Sequence, residues 1–522
     1  MTVARAIGAL VVATLAALLV VPAVHYAGLN MDEGVLLVYP ELVLRGAVPY
    51  RDFLMTYGPG DTWMLASLYS IFGTQVAVER LAGIAFHALT AVAIFAHASR
   101  WGAAVAVMSG VIGGVLLVPL GAVAFPFVGA VALVTWSLFA LSTASGIRAA
   151  ALAGALAGLA VDFRPDLGPA TALAALPLTL ALSRDRRVAF ICGAVLALVP
   201  FGLQIWMAGP ARAFDNLVIG PLTFTAAGYL PLPGRDPVLL VVLLFADVAL
   251  IAAAVVAYRA EPSRRSRALV ALAVFSALTL THALRRADDF HLISAGTVPL
   301  ALLPVTAVAL FGRLRPVFTA GRREFAAALI AALVIALGVP EIVGRAATIE
   351  LPRALGLQAF DTFSVEHRGR LWYPLRASVD YTATPVGSHE SALELQQTID
   401  DVETIAPPGA RLFVGPLDLR RTNMTDAVIY HLLPQLAPAT YYLEMANGWT
   451  NGPSSHLGAD VGGADVLILT SRYDDWNEPN ASQVFGPDGP NAVVRDRFDL
   501  RSRHGTYSIY VRRAASASDT SR

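Results

Sequence analysis

The stretch whose reading decides the fold runs from Asn30 to Gly60: NMDEGVLLVYPELVLRGAVPYRDFLMTYGPG. Asp32, Glu33 and Asp52 lie within it, and Asp61 follows directly. Upstream, MTVARAIGALVVATLAALLVVPAVHYAGL has one early arginine and then about 20 apolar residues, the length that crosses a hydrocarbon core of ~30 Å. A second membrane-grade run begins near Val76. These carboxylates are thus placed in one loop at a bilayer boundary, and they need a cause. A cleaved signal peptide is the rival reading of the N-terminus, but its apolar region would be long and VHYAG is a poor small-x-small cleavage site.

The rest of the chain supports a membrane setting. Of 522 residues, 56% are hydrophobic and 15% charged, against roughly 25% charged in soluble domains. Net charge is zero, which argues against a nucleic-acid partner. All non-histidine basic residues are arginine, a composition bias with no mechanistic content. Cys192 is the single cysteine, so neither an intramolecular disulfide nor a cysteine metal cluster can form.

Apolar runs recur as far as Gly344. About eleven spans are expected, roughly at 7–29, 76–98, 103–120, 124–144, 149–163, 167–183, 188–208, 237–258, 268–283, 293–312 and 325–343. If the N-terminus is cytoplasmic, alternate loops hold Arg100, Arg148, Arg184, Arg186, Arg187, Arg259, Arg264, Arg265, Arg267, Arg313, Arg315, Arg322 and Arg323, which satisfies the positive-inside rule. Most loop acids fall on the other side. That reading gives a multi-pass plasma-membrane protein with membrane lipids around it and an extracytoplasmic C-terminus. Residues 1–344 form the transmembrane region, with a first extracytoplasmic loop at 30–75. Residues 345–513 form an extracytoplasmic domain, and 514–522 a disordered tail.

Within the C-terminal region, SALELQQTIDDVETI puts Leu393, Leu395, Ile399, Val402 and Ile405 roughly on one helical face. ARLFVGP and ADVLILTS read as buried strands, and FDLRSRHGTYSIYVRR as a hairpin around His504 and Gly505. The expected fold class is therefore a polytopic α-helical membrane protein of about eleven transmembrane helices with a C-terminal extracytoplasmic α/β domain.

Three extracytoplasmic loops hold the unusual side chains. In the first, EGVLLVYPELVLRG suggests a short amphipathic helix at the interface, GAVPYRDF and TYGPG a turn-rich return, and DTWMLASLYSIFG a second surface helix. The second, VDFRPDLGP, contains Asp162, Arg164 and Asp166. The third, THALRRADDFHLISAG, contains Arg285, Arg286, Asp288, Asp289 and His291.

The pattern NMDEG, LRGAVPYRDF, YGPG, IFGT and ERLAG resembles the first loop of the integral-membrane GT-C glycosyltransferases, in particular the protein mannosyltransferase and lipid A aminoarabinose transferase-like group. LAGLAVDFRPDLGPA and RRADDFHL resemble that group's later loops, so the likeness runs from about Ile7 to Gly344. It implies a GT-C-like fold and a transferase that moves a sugar from a polyprenyl-phosphate donor to an extracytoplasmic hydroxyl on a glycan, lipid or protein. On this resemblance Asp32 is the general base, with Glu33 catalytic beside it or orienting it. Arg285, Arg286, His291 and Arg164 are the donor-phosphate ligands. Asp52, Tyr57, Asp162 and Asp166 contact substrate or position the loop.

Plainer readings stand beside these. Asp32 and Glu33 could cap a helix, Asp52 could pair with Arg51 or Arg45, Tyr57 could be an interfacial aromatic, and the arginines could meet lipid headgroups. Loop acids could jointly hold a divalent cation through oxygen ligands, yet no cofactor or metal is assigned. Asp247, mid-span in LLFADVAL, is the one feature favouring a transporter or flippase. A non-catalytic membrane scaffold with a periplasmic binding domain is the third alternative. It would account for the tail but not for the loop acids.

Overall fold

A computed structural model describes residues 3–26, 28–29, 31–311, 320–359, 361–374 and 388–514. Among them, eight helices are long and apolar enough to cross a membrane, or nine if the bent pair Gly321–Gly338 and Pro340–Ala354 is one span. That pair turns by 101° at a break that Pro340 follows, where proline cannot continue the hydrogen-bond ladder. The chain is a multi-pass membrane protein. Its first nine helices are α1 (Val3–Leu18), α2 (Asp32–Leu44), α3 (Pro59–Phe72), α4 (Val76–Ala98), α5 (Ala103–Leu116), α6 (Pro126–Thr143), α7 (Ile147–Phe163), α8 (Gly168–Thr179) and α9 (Arg184–Ala208). The expected spans at 149–163 and 167–183 appear as α7 and α8, which have only 17 and 12 residues. Val12 and Ala16 of α1 are buried against Gly110 and Gly114 of α5, so the N-terminal helix packs as a member of the bundle.

Above the bundle lies a mixed sheet. After the small hairpin β1 (Val365–His367) and β2 (Arg370–Trp372), it contains β3 (Arg411–Pro416), β4 (Ala437–Pro438), β5 (Val466–Thr470), β6 (Phe498–His504) and β7 (Tyr507–Arg512), in the order β4-β3-β5-β7-β6. β3 runs parallel to β4 and β5, and β7 antiparallel to β5 and β6. Both strands expected to be buried and the expected hairpin are present. Helix His389–Ile405 buries Leu395, Ile399 and Val402. Leu393 corrects the expected face: it is 49% exposed, because the i, i+4, i+7 stripe from Leu395 excludes it. Residues 515–522, the expected disordered tail, lie outside the described residues.

The largest departure concerns α2. It is not an amphipathic surface helix, since every residue from Glu33 to Glu41 is buried. The reason is tertiary. Val35, Leu37, Tyr39, Tyr50 and Phe53 share one apolar core with Leu395, Ile399 and Val402 of the C-terminal helix and with Val414, Ile468 and Ile509 of the sheet. A Cβ on Gly34 would sit 2.4 Å from the backbone nitrogen of Val428, so only glycine allows this approach. The first loop is thus wedged between the helical bundle and the C-terminal sheet layer.

Candidate functional site

Asp32 is the first residue of α2, half-buried, with Met31 in the capping position. The capping role considered for it is therefore not the one it has, although an acid in a first helical turn still gains from the helix dipole. Its neighbour Glu33 faces a different environment. Both Glu33 oxygens pair with Arg80 of α4, at 2.6 and 3.0 Å, and both side chains are buried. Arg80 Nη1 also donates to the carbonyls of Ala23, Val24 and Tyr26, at 3.1, 2.9 and 2.8 Å. Glu33 therefore ties the start of α2 to α4 and to the segment leaving the first span.

The groups that share Asp32's field come from three distant parts of the chain. Tyr57 lies on the turn-rich return, Arg164 follows α7, and Glu444 belongs to the C-terminal region. Burial pushes Glu444 up, and the charge of Asp32 pushes it further, to about 7. Thr56 Oγ1 donates to it at 3.4 Å, and Arg164, Tyr39 and Tyr57 lie within its electrostatic reach. Tyr57 itself is raised well above an ordinary phenol by burial, then by Glu444 and Asp32, against the pull of Arg164. Asp32, Tyr39, Tyr57 and Arg164 therefore all lie within electrostatic range of Glu444.

Arg164 is held by geometry on both faces. Its guanidinium lies 5.5 Å over the Tyr57 ring and 5.2 Å over the Phe127 ring, and pairs bidentately with Asp166, at 2.8 and 2.7 Å. On the same Phe127 ring, His282 stacks at 4.9 Å. Its Nε2 is buried without a hydrogen-bond partner, and its ring is 4.8 Å from that of His291. His291 Nδ1 reaches Asp288 at 2.6 Å. The second and third loops thus meet through Phe127 and His282.

The remaining candidates fall as follows. Asp162 is buried beside the YGPG turn, where Gly58 N–H donates to the Phe163 carbonyl at 3.2 Å. Asp52 pairs with Arg51 at 2.8 Å and accepts from Val48 N–H at 2.8 Å, so it pins the loop turn. Arg286 is already neutralised: it pairs with Asp288 at 2.7 Å and with Glu478 of the C-terminal region at 2.6 Å. Arg285 is exposed at the end of its helix and has no ion pair among the described residues. No group of three or more His, Cys, Asp or Glu among the described residues could hold a metal ion.

Two expected outcomes follow from this geometry. A Cβ on Gly58 would fall 1.7 Å from the Asp162 carbonyl oxygen, so Gly58→Ala must push the first and second loops apart. It should destabilise the purified protein by about 1–3 kcal/mol, read as a lowered thermal midpoint with insertion intact. The Glu444 carboxyl, raised above its unfolded value of about 4.5, holds its proton more tightly folded than unfolded. Stability should therefore fall as pH rises from 4.5 to about 7 and level off above, by roughly 3 kcal/mol in total. Thermal melts across that window should show a steeper slope in the wild type than in Glu444→Gln.

Sequence reasoning missed Glu444, Arg80 and His282. Glu444 had one signal, a lone acid inside the aromatic stretch YYLEMANGW.

No protein-family model matches the chain, and no curated protein matches it in sequence. Solved structures do. The crystal structure of ArnT from Cupriavidus metallidurans bound to undecaprenyl phosphate is 13% identical, covers 98% of both chains and superposes with a TM-score of 0.52. The arabinofuranosyltransferase AftD from mycobacteria is 16% identical with a TM-score of 0.49; the match covers 98% of this chain and 40% of AftD. The ArnT match shows that the fold is of the GT-C type expected from the first loop.

Proposed function

We propose that this chain, with the fold seen in ArnT, is a membrane glycosyltransferase that moves a sugar from a polyprenyl-phosphate carrier to an acceptor hydroxyl, with Asp32 as general base. The observation that carries the reading is the convergence of Asp32, Glu444, Tyr57 and Arg164 from separate elements onto one place where bundle and sheet layer meet. The ArnT structure, whose ligand is undecaprenyl phosphate, supports the carrier class.

The chemistry distributes as follows. A sugar hydroxyl is a weak nucleophile and needs a carboxylate at hydrogen-bond distance to take its proton as it attacks the anomeric carbon. Asp32 serves there, and Glu444 beside it holds a proton near neutral pH, so the pair does not carry two full charges. The departing lipid phosphate is weakly basic and needs positive charge more than a proton. Arg164 pairs with Asp166 through Nε and Nη2 and has Nη1 left to meet it, with His282 Nε2 and His291 near by. Arg285 is free to approach a phosphate from the exposed side. Arg286 is spent on Asp288 and Glu478 and acts as a strut between the third loop and the C-terminal region. Glu33, Asp52 and Asp162 position the first loop. An apolar helical bundle suits a polyprenyl tail.

The feature that favoured transport has a local explanation. Ser276 Oγ donates to Asp247 Oδ1 at 2.5 Å across neighbouring helices, a clasp within the bundle.

The experiment is to delete the gene, extract lipid-linked sugars and offer the extract to purified protein. The expected result is a polyprenyl-linked sugar that accumulates in the deletion strain and is consumed by the wild-type protein. No accumulated species, and no consumption, would overturn the assignment.

A further inference from the structure

At the far end of α4 from Arg80, ~27 Å away along the helix to Ala98, the chain builds a second polar site that the proposed reaction does not use. A shallow dent there is lined by Arg100, Trp101 and Arg265, with the buried His97, Ala268, Leu269, Leu272, Leu302 and Val305 behind them. Arg265 lies 4.3 Å over the Trp101 ring and donates to the Arg100 carbonyl at 3.3 Å. Arg100 is fixed by Ser142 Oγ at 2.6 Å and by the Phe139 ring at 4.9 Å.

What marks the place is uncompensated charge. Arg5 and Arg264 also bear on Arg100. None of Arg5, Arg100, Arg264 and Arg265 forms an ion pair among the described residues. Burial first, then Arg5 and Arg264, lower Arg100 to about 10. The nearby acid, Glu324, packs against Gly102. Unpaired guanidinium groups beside an indole ring at a membrane boundary match a lipid whose anionic head meets guanidinium. The dent also opens where the lipid-facing helices end, which favours a membrane lipid over a free ion.

We propose that the surface formed by Arg5, Arg100, Arg264 and Arg265 beside Trp101 binds the phosphate headgroup of an anionic phospholipid. The lipid would neutralise the arginine cluster and hold α1, α4 and the Arg264–Arg285 helix together at that end.

The test is native mass spectrometry of detergent-purified protein titrated with phosphatidylglycerol or phosphatidylcholine. One phosphatidylglycerol should be retained selectively, and Arg264→Gln/Arg265→Gln should weaken its retention by roughly 30-fold. Brominated phosphatidylglycerol should quench the wild type more than Trp101→Phe, which needs no arginine variant to fold. Equal retention of the two lipids, unchanged retention in the double variant, or equal quenching would overturn the proposal. So would displacement of the lipid by millimolar inorganic phosphate, which would identify a free-anion site. The readout is lipid retention, so it stands apart from the transferase reading.

Discussion

Asp32→Asn should yield a protein that inserts, folds and binds its lipid carrier, yet transfers sugar about 10²–10⁴-fold more slowly, the range lost when a positioned base is removed. Asparagine matches aspartate in shape and can still hydrogen-bond in the first turn of α2, so helix geometry is preserved while the basic oxygen is lost. Asp32 is half-buried at the head of α2, and its charge bears on both Tyr57 and Glu444. The loss should appear in the turnover rate, with apparent carrier affinity changed little, because the carrier contacts proposed above are Arg164 and the apolar bundle. Wild-type turnover by Asp32→Asn would remove the base assignment while leaving the fold untouched.

Arg80→Gln should have the largest effect on stability, about 3–5 kcal/mol. The substitution strands Glu33, buried with both oxygens on Arg80, and orphans the carbonyls of Ala23, Val24 and Tyr26 that Arg80 Nη1 serves. An ion pair inside a membrane protein is weak evidence of net stabilisation, but breaking one half leaves an uncompensated charge where water does not reach. The thermal midpoint in detergent should drop steeply, and Arg80→Leu/Glu33→Leu should recover much of the loss, since an apolar pair leaves no stranded charge. A single substitution costing under about 1 kcal/mol would show that the pair is solvated. Because Glu33 neighbours Asp32, Arg80→Gln should also depress turnover through the loop's position.

Much of the architecture was legible in the chain. The apolar runs at 76–98, 103–120 and 237–258 became helices close to those bounds, because a run of that length and composition has no other stable state in a bilayer. The two core strands, the C-terminal hairpin and the third-loop residues Arg286 and His291 were also visible. The burial of α2 was not, since its apolar pattern suits an interface as well as a wedge between two layers. The pairing of Arg286 was hidden for a similar reason: its partner Glu478 lies 192 residues away.

The sequence by itself determined that the chain crosses a membrane many times, that its acids cluster on one set of loops, and that the first of these loops begins with a carboxylate beside a span. Hydrophobicity and spacing are local properties, and they are enough for that. Only the tertiary structure decided which carboxyl group shares the field of Asp32, which arginines are held in ion pairs, and that Glu33 is buried against Arg80. Those are matters of distance between residues hundreds of positions apart. Burial in a shared core raises Glu444 to about 7, and no local pattern encodes that environment.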